Sequence, residues 1–353
     1  MLDHARDVRR VLHHARDSNV QAVERLGITV PFAGVPLAEH RSWLADAVAA
    51  GYTDAWSSEV DGADCFTPLA LAAAWEPDLR LGVAIAPVFT RGPALLAQSV
   101  AAMAEAAPAR FAFGLGTSSE VIVERWNGIP FDRPYARVRD VLAFLRMALA
   151  GEKVTADFET FSVRGFRLSR PIPSPPPLYL AALQPGMLRL AGRNADGVIL
   201  NWLSAEDVAT SLAEVRAGAG ENRSHVVEAG DFEVVMRIFV VPEADASVAR
   251  ALARRMVGAY LTIPAYAALH RWLGRAPMLE GMWGAWKAGD RDAALAAIPD
   301  EVVDALVVHG DPDDCRAHVA RYVEHGVTLP VLMVLTAEPD LRGLREAVLA
   351  LAG

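Results

Sequence analysis

Two cysteines and two lysines are all that the 353 residues contain of either type. Cys65 and Cys315 lie far apart with no CxxC pair, which argues against a zinc knuckle or a disulfide framework and leaves two ordinary intracellular thiols. Lys153 and Lys287 are the only lysines, so the basic residues are almost all arginine. The net charge of −9 disfavours nucleic acid and anionic membrane as partners. No uninterrupted apolar run approaches the roughly 18–20 residues that span a bilayer. The opening MLDHARDVRR is charged from its third residue and has no apolar signal core, so a cytoplasmic location is expected. HExxH, GxSxG and a Walker lysine are missing, and with them the basis for metal hydrolysis, serine hydrolysis and nucleotide triphosphate cleavage. The nine histidines show no ligand spacing, and no metal site is expected.

What is present is a chain 53% hydrophobic and 22% charged, the balance of a soluble, core-rich globular protein. Short apolar runs alternate with amphipathic stretches, the pattern of parallel strands joined by crossover helices. Strands are predicted at 27–32, 52–57, 80–87, 110–115, 178–182, 196–201, 232–240 and 329–335. Helices fit at 37–50, 93–107, 133–150, 185–193, 205–217 and 312–325. Eight such units point to an α/β fold, a (β/α)8 TIM barrel with insertions at the C-terminal face. A doubly wound sheet is the alternative, but PFAGVP follows strand 1 where GxGxxG would be needed. The reading is of one barrel domain over 1–353. Residues 1–26 form an N-terminal extension, 151–177 a small β-excursion ending in prolines, and 241–310 a helical insertion rich in aromatic residues.

In a barrel the chemistry-bearing residues follow each strand. After strand 2 come Ser57, Ser58 and Glu59; a solvated loop carboxylate is the plain reading of the last. After strand 4 come Thr117, Ser118, Ser119 and Glu120, with Gly114 and Gly116 allowing close backbone approach to a ligand; a turn with a capping arrangement is the alternative. After strand 5, Pro185 suits a first helical turn, leaving the N–H groups around Gln184, Gly186 and Met187 as an anion site. Asn201 and Trp202 after strand 6 are candidates to line a substrate pocket, Trp202 being as readily a packing residue. His270 falls in the insertion near the mouth. If a proton moves in the reaction, Glu59 or Glu120 is the catalytic candidate, since a carboxyl at a dry mouth can have its pKa raised.

Four segments carry a family resemblance: RLGVAIAPVFTRGP, RFAFGLGTSSEVIVERWNGIPFDRPYARVRDVLAFLRMALAGEKV, PPPLYLAALQPGMLRLAGRNADGVILNW and GDPDDCRAHVARYVEHGVTLPVLMV. Together they resemble the bacterial luciferase-like superfamily, and more narrowly its actinobacterial oxidoreductases dependent on coenzyme F420. The resemblance covers 27–335. It implies hydride transfer between the deazaflavin F420 and a small organic substrate, in a homodimer. FMN-dependent monooxygenation is the alternative, and a flavin-binding barrel without turnover the second. It implies a phosphate near Gln184–Met187, a ring contact at Ser58, Thr117 and Ser118, and a non-prolyl cis peptide at about Val83–Ala84 backing the ring. Arg189, Arg193 and either Arg164 or Arg167 are placed to meet an anionic tail, an ordinary surface arginine being the plain reading of each. Where deazaflavin relatives often carry an Asp-His pair after strand 2, this chain has Ser58-Glu59; where some carry an acid directly after Thr-Gly past strand 4, Ser118 and Ser119 precede Glu120.

Overall fold

A computed structural model describes residues 23–170, 172, 174–222, 231–337 and 340–352. Most of the expected N-terminal extension, and Pro171 and Pro173 of the proline-rich approach, lie outside these.

Eight parallel strands close on themselves. They are β1 (Gly27–Val30), β2 (Asp54–Ser57), β3 (Arg80–Pro87), β4 (Phe111–Gly116), β7 (Leu178–Ala181), β8 (Gly197–Asn201), β9 (Glu233–Val241) and β11 (Leu329–Val334). The order runs β9-β11-β1-β2-β3-β4-β7-β8, and β8 pairs back onto β9 to complete the (β/α)8 barrel. All eight predicted strands are present. Between them pack α1 (His40–Ala50), α2 (Thr67–Trp75), α3 (Pro93–Ala106), α4 (Pro134–Leu149), α5 (Pro185–Asn194), α6 (Ala205–Asn222) and α12 (Pro312–Glu324), with α13 (Leu341–Ala350) closing the chain. Helices α2 and α13 were not anticipated. The 151–177 segment carries an antiparallel hairpin, β5 (Val154–Asp157) with β6 (Ser162–Phe166). The 241–310 segment holds α7 (Ala246–Leu261), α8 (Pro264–Trp272), α9 (Ala276–Lys287), α10 (Arg291–Ala296) and α11 (Asp300–Leu306). A two-residue strand β10 (Val308–His309) then pairs with the far end of β9.

The strands are nearly all buried because they face helices outside and one another inside. The barrel interior is layered. Trp56 fills the middle, its ring lying where a Gly82 side chain would stand, since a Cβ there would meet the indole at 2.4 Å. Ala112, Tyr179, Ile199, Val235 and Val331 complete that layer. Below it, Arg25 and Arg80 bridge Asp54 and Glu233, and the Tyr179 hydroxyl donates to Glu233 at 2.7 Å. The N-terminal end of the barrel is thus plugged by a charge-balanced network. A separate core forms in the insertion, where Trp202 and Phe239 pack against Val257, Leu261, Leu279 and Val303. Among the described residues no helix is long and apolar enough to cross a membrane.

Candidate active site

Above the Trp56 layer a small cavity, about 10 Å³ of free space, opens toward the C-terminal ends of the strands. Thr29, Trp56, Ser58, Ala84, Arg237 and Val331 line it. Its wall at β3 is irregular: register with β4 shifts between Val83 and Ala86, and the Ala84–Ile85 peptide is cis. The cis step expected at Val83–Ala84 is therefore one residue later. Val83 is wholly buried, whereas Ala84 and Ile85 are half-buried and face the interior. Gly114 serves this wall rather than ligand approach: a Cβ there would meet the Val83 carbonyl oxygen at 2.2 Å.

Four polar atoms at this level are buried without a hydrogen-bond partner: Thr29 Oγ1, Trp56 Nε1, Asn201 Oδ1 and Arg237 Nε. Thr29 pairs in register with Trp56, and Asn201 with Arg237. An unsatisfied buried polar group costs about 1–3 kcal/mol. Orphans gathered at one end of a barrel mark a place built to receive polar atoms from elsewhere. Asn201 is held by a hydrogen bond from its Nδ2 to the Tyr266 hydroxyl at 3.3 Å, which ties the rim to α8. Burial pushes the Tyr266 phenol up to about 12, with Tyr260 adding to the shift, so it stays protonated.

Ser58 lies at the cavity edge, and the Glu59 carboxylate beside it is fully engaged. Arg91 bridges both oxygens of Glu59 at 2.7 Å, the Cys65 N–H donates at 3.2 Å and the Thr90 hydroxyl at 3.3 Å. Burial alone would raise the Glu59 carboxyl, but the Arg91 bonds and charge, with the Cys65 amide, outweigh it and hold the group below the ordinary carboxylate range. The raised acid expected there is thus corrected to an ionised hydrogen-bond acceptor. Thr117 and Ser118 stand at the rim after β4, Ser118 with a left-handed φ of 62°. Glu120 is exposed and paired with Arg125 at 3.3 Å, at the start of a π-helical turn, Val121–Trp126.

Helix α5 opens on Gln184, whose extended backbone caps the helix without a side-chain bond; its Nε2 instead reaches Ala265 O at 3.4 Å. Leu188 N–H is the first to bond back, to Gln184 O, so the Gly186 and Met187 N–H groups have no intrahelical acceptor. The space beside Gly186 is open, its nearest neighbour being the Tyr135 ring 4.0 Å from an added Cβ. Arg193 donates to the Tyr135 hydroxyl at 3.0 Å and so lies on that side of α5. The other three arginines expected near a tail are engaged elsewhere: Arg189 pairs with Glu214, Arg164 with Asp157, and Arg167 donates to Gly151 O.

Two expected pocket residues are core instead. Trp202, with φ of 57°, turns away from the barrel and stacks on Phe239 at 4.3 Å and Tyr260 at 4.7 Å. His270 is fully buried with neither ring nitrogen partnered; burial, with the nearby Arg275 charge, pushes it down to about 4, so the ring is neutral. Neither lines the cavity. Both thiols are buried and shifted upward by that burial, which makes them poor nucleophiles. Sequence reasoning missed Thr29, Trp56 and Arg237. The last had a signal: one arginine inside the apolar run FEVVMRIFV demands a reason.

The comparisons with known proteins bear on this arrangement. A protein of Mycobacterium tuberculosis, Rv3520c, named for coenzyme F420-dependent oxidoreductase activity, is 27% identical over 342 residues, covering 90% of this chain and 97% of its own. The 5,10-methylenetetrahydromethanopterin reductase of Methanolobus tindarius is 27% identical over 281 residues, 79% of this chain and 84% of its own. The solved structure of the coenzyme F420 dependent tetrahydromethanopterin reductase of Methanopyrus kandleri superposes with a TM-score of 0.76 at 21% identity, covering 94% of this chain and 98% of that one. The family described as luciferase-like monooxygenase matches residues 17–329, and the chain belongs to it.

Proposed function

We propose that this protein is an oxidoreductase that moves hydride between coenzyme F420 and a small organic substrate. The observation that carries the reading is the start of α5, where the Gly186 and Met187 N–H groups stand without an intrahelical acceptor beside open space, in a chain with a relative named for F420-dependent oxidoreductase activity. The residues present fit a flat ring bearing a phosphate. Ala84 and Ala181 give the wall small side chains, with Gly116 packed against Ala181 and Ile85, and Ser58, Thr117 and Ser118 offer hydroxyls at the rim. Gln184, Gly186 and Met187 open α5 with free N–H groups and the positive end of its dipole, where a phosphate is favoured. When bound, the deazaflavin supplies the hydride chemistry; the protein supplies orientation and a dry mouth.

The chain's own part is positioning and proton handling. Glu59, ionised and braced by Arg91, fixes the Ser58 loop, its oxygens already taken up by Arg91, Cys65 and Thr90. Glu120, exposed beside Arg125, is the carboxylate left to handle a proton. Asn201 and Tyr266 fix the opposite rim. The protein is further proposed to act as a cytoplasmic homodimer. An FMN-dependent monooxygenase is the second reading, favoured by the description of the matching family; a binding barrel without turnover is the third.

The test is turnover. Reduced F420 is mixed anaerobically with activated enones, imines and nitro compounds, and oxidation of the cofactor is followed by its visible absorption. Protein-dependent oxidation with a reduced product supports the reading. Turnover only with reduced FMN and dioxygen moves the assignment to the monooxygenase, and binding without any turnover to the third reading.

A further inference from the structure

Strand β9 carries two inward-facing charged residues, Glu233 and Arg237, four positions and so about 13 Å apart. At the lower end, Glu233 is neutralised by Arg25, Arg80 and the Tyr179 hydroxyl. At the upper end, Arg237 has no such balance: among the described residues it makes no ion pair, and its Nε is buried without an acceptor. Its guanidinium lies over the Phe239 face, the ring centroid 5.2 Å from the guanidinium carbon, and its charge is also felt at the Tyr266 hydroxyl. The carboxylates of the described barrel strands that pair with arginine, Asp54 and Glu233, are held in the plug below. A half-buried cation beside an apolar layer, with its Nε cut off from solvent, is costly to keep unless an anion comes to it.

The groups beside it define that anion. Trp56 Nε1 and Arg237 Nε are donors only, and the Thr29 hydroxyl can donate; Asn201 Oδ1 alone among the orphans can only accept. One positive charge among neutral donors matches a singly charged, planar oxygen acid. A phosphate would bring up to two charges to a single cation, and the free N–H groups that suit one lie elsewhere, at the start of α5. The cavity that holds Thr29, Trp56 and Arg237 also holds Ala84 of the β3 wall, so the anion would sit beside the place assigned to the ring.

We infer that the substrate is a carboxylate and that Arg237, with Thr29 and Trp56, is the specificity-determining group that receives it. The inference rests on the proposed oxidoreductase reading for the site's use, not for its chemistry. It places the acid end of the substrate down in the barrel, with the reacting carbon above it.

Binding to the full-length protein separates the possibilities. Benzoate and crotonate are titrated by calorimetry and by tryptophan fluorescence against their uncharged isosteres benzamide and crotonamide. The wild-type protein should bind each acid at least tenfold more tightly than its amide. Arg237→Met should abolish that ratio while leaving amide binding and F420 affinity within about twofold, and Arg237→Lys should keep part of it. Unchanged thermal midpoints in both variants exclude a folding defect. Equal binding of acid and amide by the wild type, or a ratio that survives Arg237→Met, overturns the inference. So does a loss of F420 affinity in Arg237→Met without a loss of acid binding, which would give Arg237 to the cofactor. If the wild type ignores F420 yet shows an acid preference that depends on Arg237, the oxidoreductase reading fails and the carboxylate site stands.

Discussion

A single methyl group added at position 114 and a larger side chain at 186 should separate the two jobs that glycine does at the barrel mouth. At Gly114 an added Cβ would stand 2.2 Å from the Val83 carbonyl oxygen and 2.3 Å from Ile199 Cδ1. Carbon and oxygen ordinarily meet no closer than about 3.3 Å, so roughly 1 Å of movement is needed. Ile199 can change rotamer, but the Val83 carbonyl belongs to the strand that is irregular between Val83 and Ala86. Overpacking of this kind costs about 1–3 kcal/mol, set against a gain of up to about 1 kcal/mol from removing glycine freedom in the unfolded chain. Gly114→Ala should therefore lose about 1–2 kcal/mol, read as a thermal midpoint lower by a few degrees, and the shifted wall should weaken cofactor binding as well. Gly186 has only the Tyr135 ring within 4.0 Å of an added Cβ. Gly186→Val should leave stability within about 0.5 kcal/mol and lower cofactor affinity at least tenfold by crowding the free N–H groups. Thermal melts and cofactor titrations on both variants make the check. Equal stability of Gly114→Ala and wild type, or unchanged affinity in Gly186→Val, refutes the assignment of packing to the first and ligand approach to the second.

Other consequences are as direct. Glu59→Gln, which removes the charged pair with Arg91 behind Ser58, should weaken cofactor binding a few-fold, whereas Glu120→Gln should lower turnover roughly tenfold with little change in cofactor affinity; cofactor titrations and steady-state rates compare the two. His270 titrates near 4 when folded and near 6.5 when unfolded. Its neutral form is the one the fold accepts, so its contribution is complete above about pH 6.5 and lost as pH falls toward 4. Across that window it amounts to about 3 kcal/mol. Urea melts from pH 7 to 4.5 should show His270→Leu losing less stability on acidification than wild type; parallel curves would discount the buried imidazole. Trp202→Ala, which empties the space between Phe239 and Tyr260, should cost about 3–5 kcal/mol in denaturant melts, while an unchanged midpoint would return Trp202 to the pocket.

The barrel was legible because strand and helix periods alternate along most of the chain. What escaped did so for physical reasons. Helix α2, TPLALAAAW, is apolar on nearly every side, so no stripe marks it. Positions next to the mouth in sequence do not all face it: the left-handed backbone at Trp202 sends its ring into the second core. The protonation of Glu59 depends on Arg91, 32 residues away and brought near only by adjacent strand ends. Arg237 was visible as a lone charge in an apolar strand, yet nothing in the sequence shows that Asp54 and Glu233 are already paired below it. The start of α5, by contrast, needed only local rules: a proline in the first turn, a glycine after it, and a strand just before.

The central claim is that this mouth holds a deazaflavin. Titrating the purified full-length protein with oxidised F420 and with FMN, at two salt concentrations, tests it most directly, using tryptophan fluorescence to report occupancy beside Trp56. F420 should bind more tightly than FMN. Its affinity should fall with salt, because a charged tail running past Gly186 toward Arg193 would be exposed to solvent ions. Tighter binding of FMN, or protein that purifies with FMN already bound, would contradict the account.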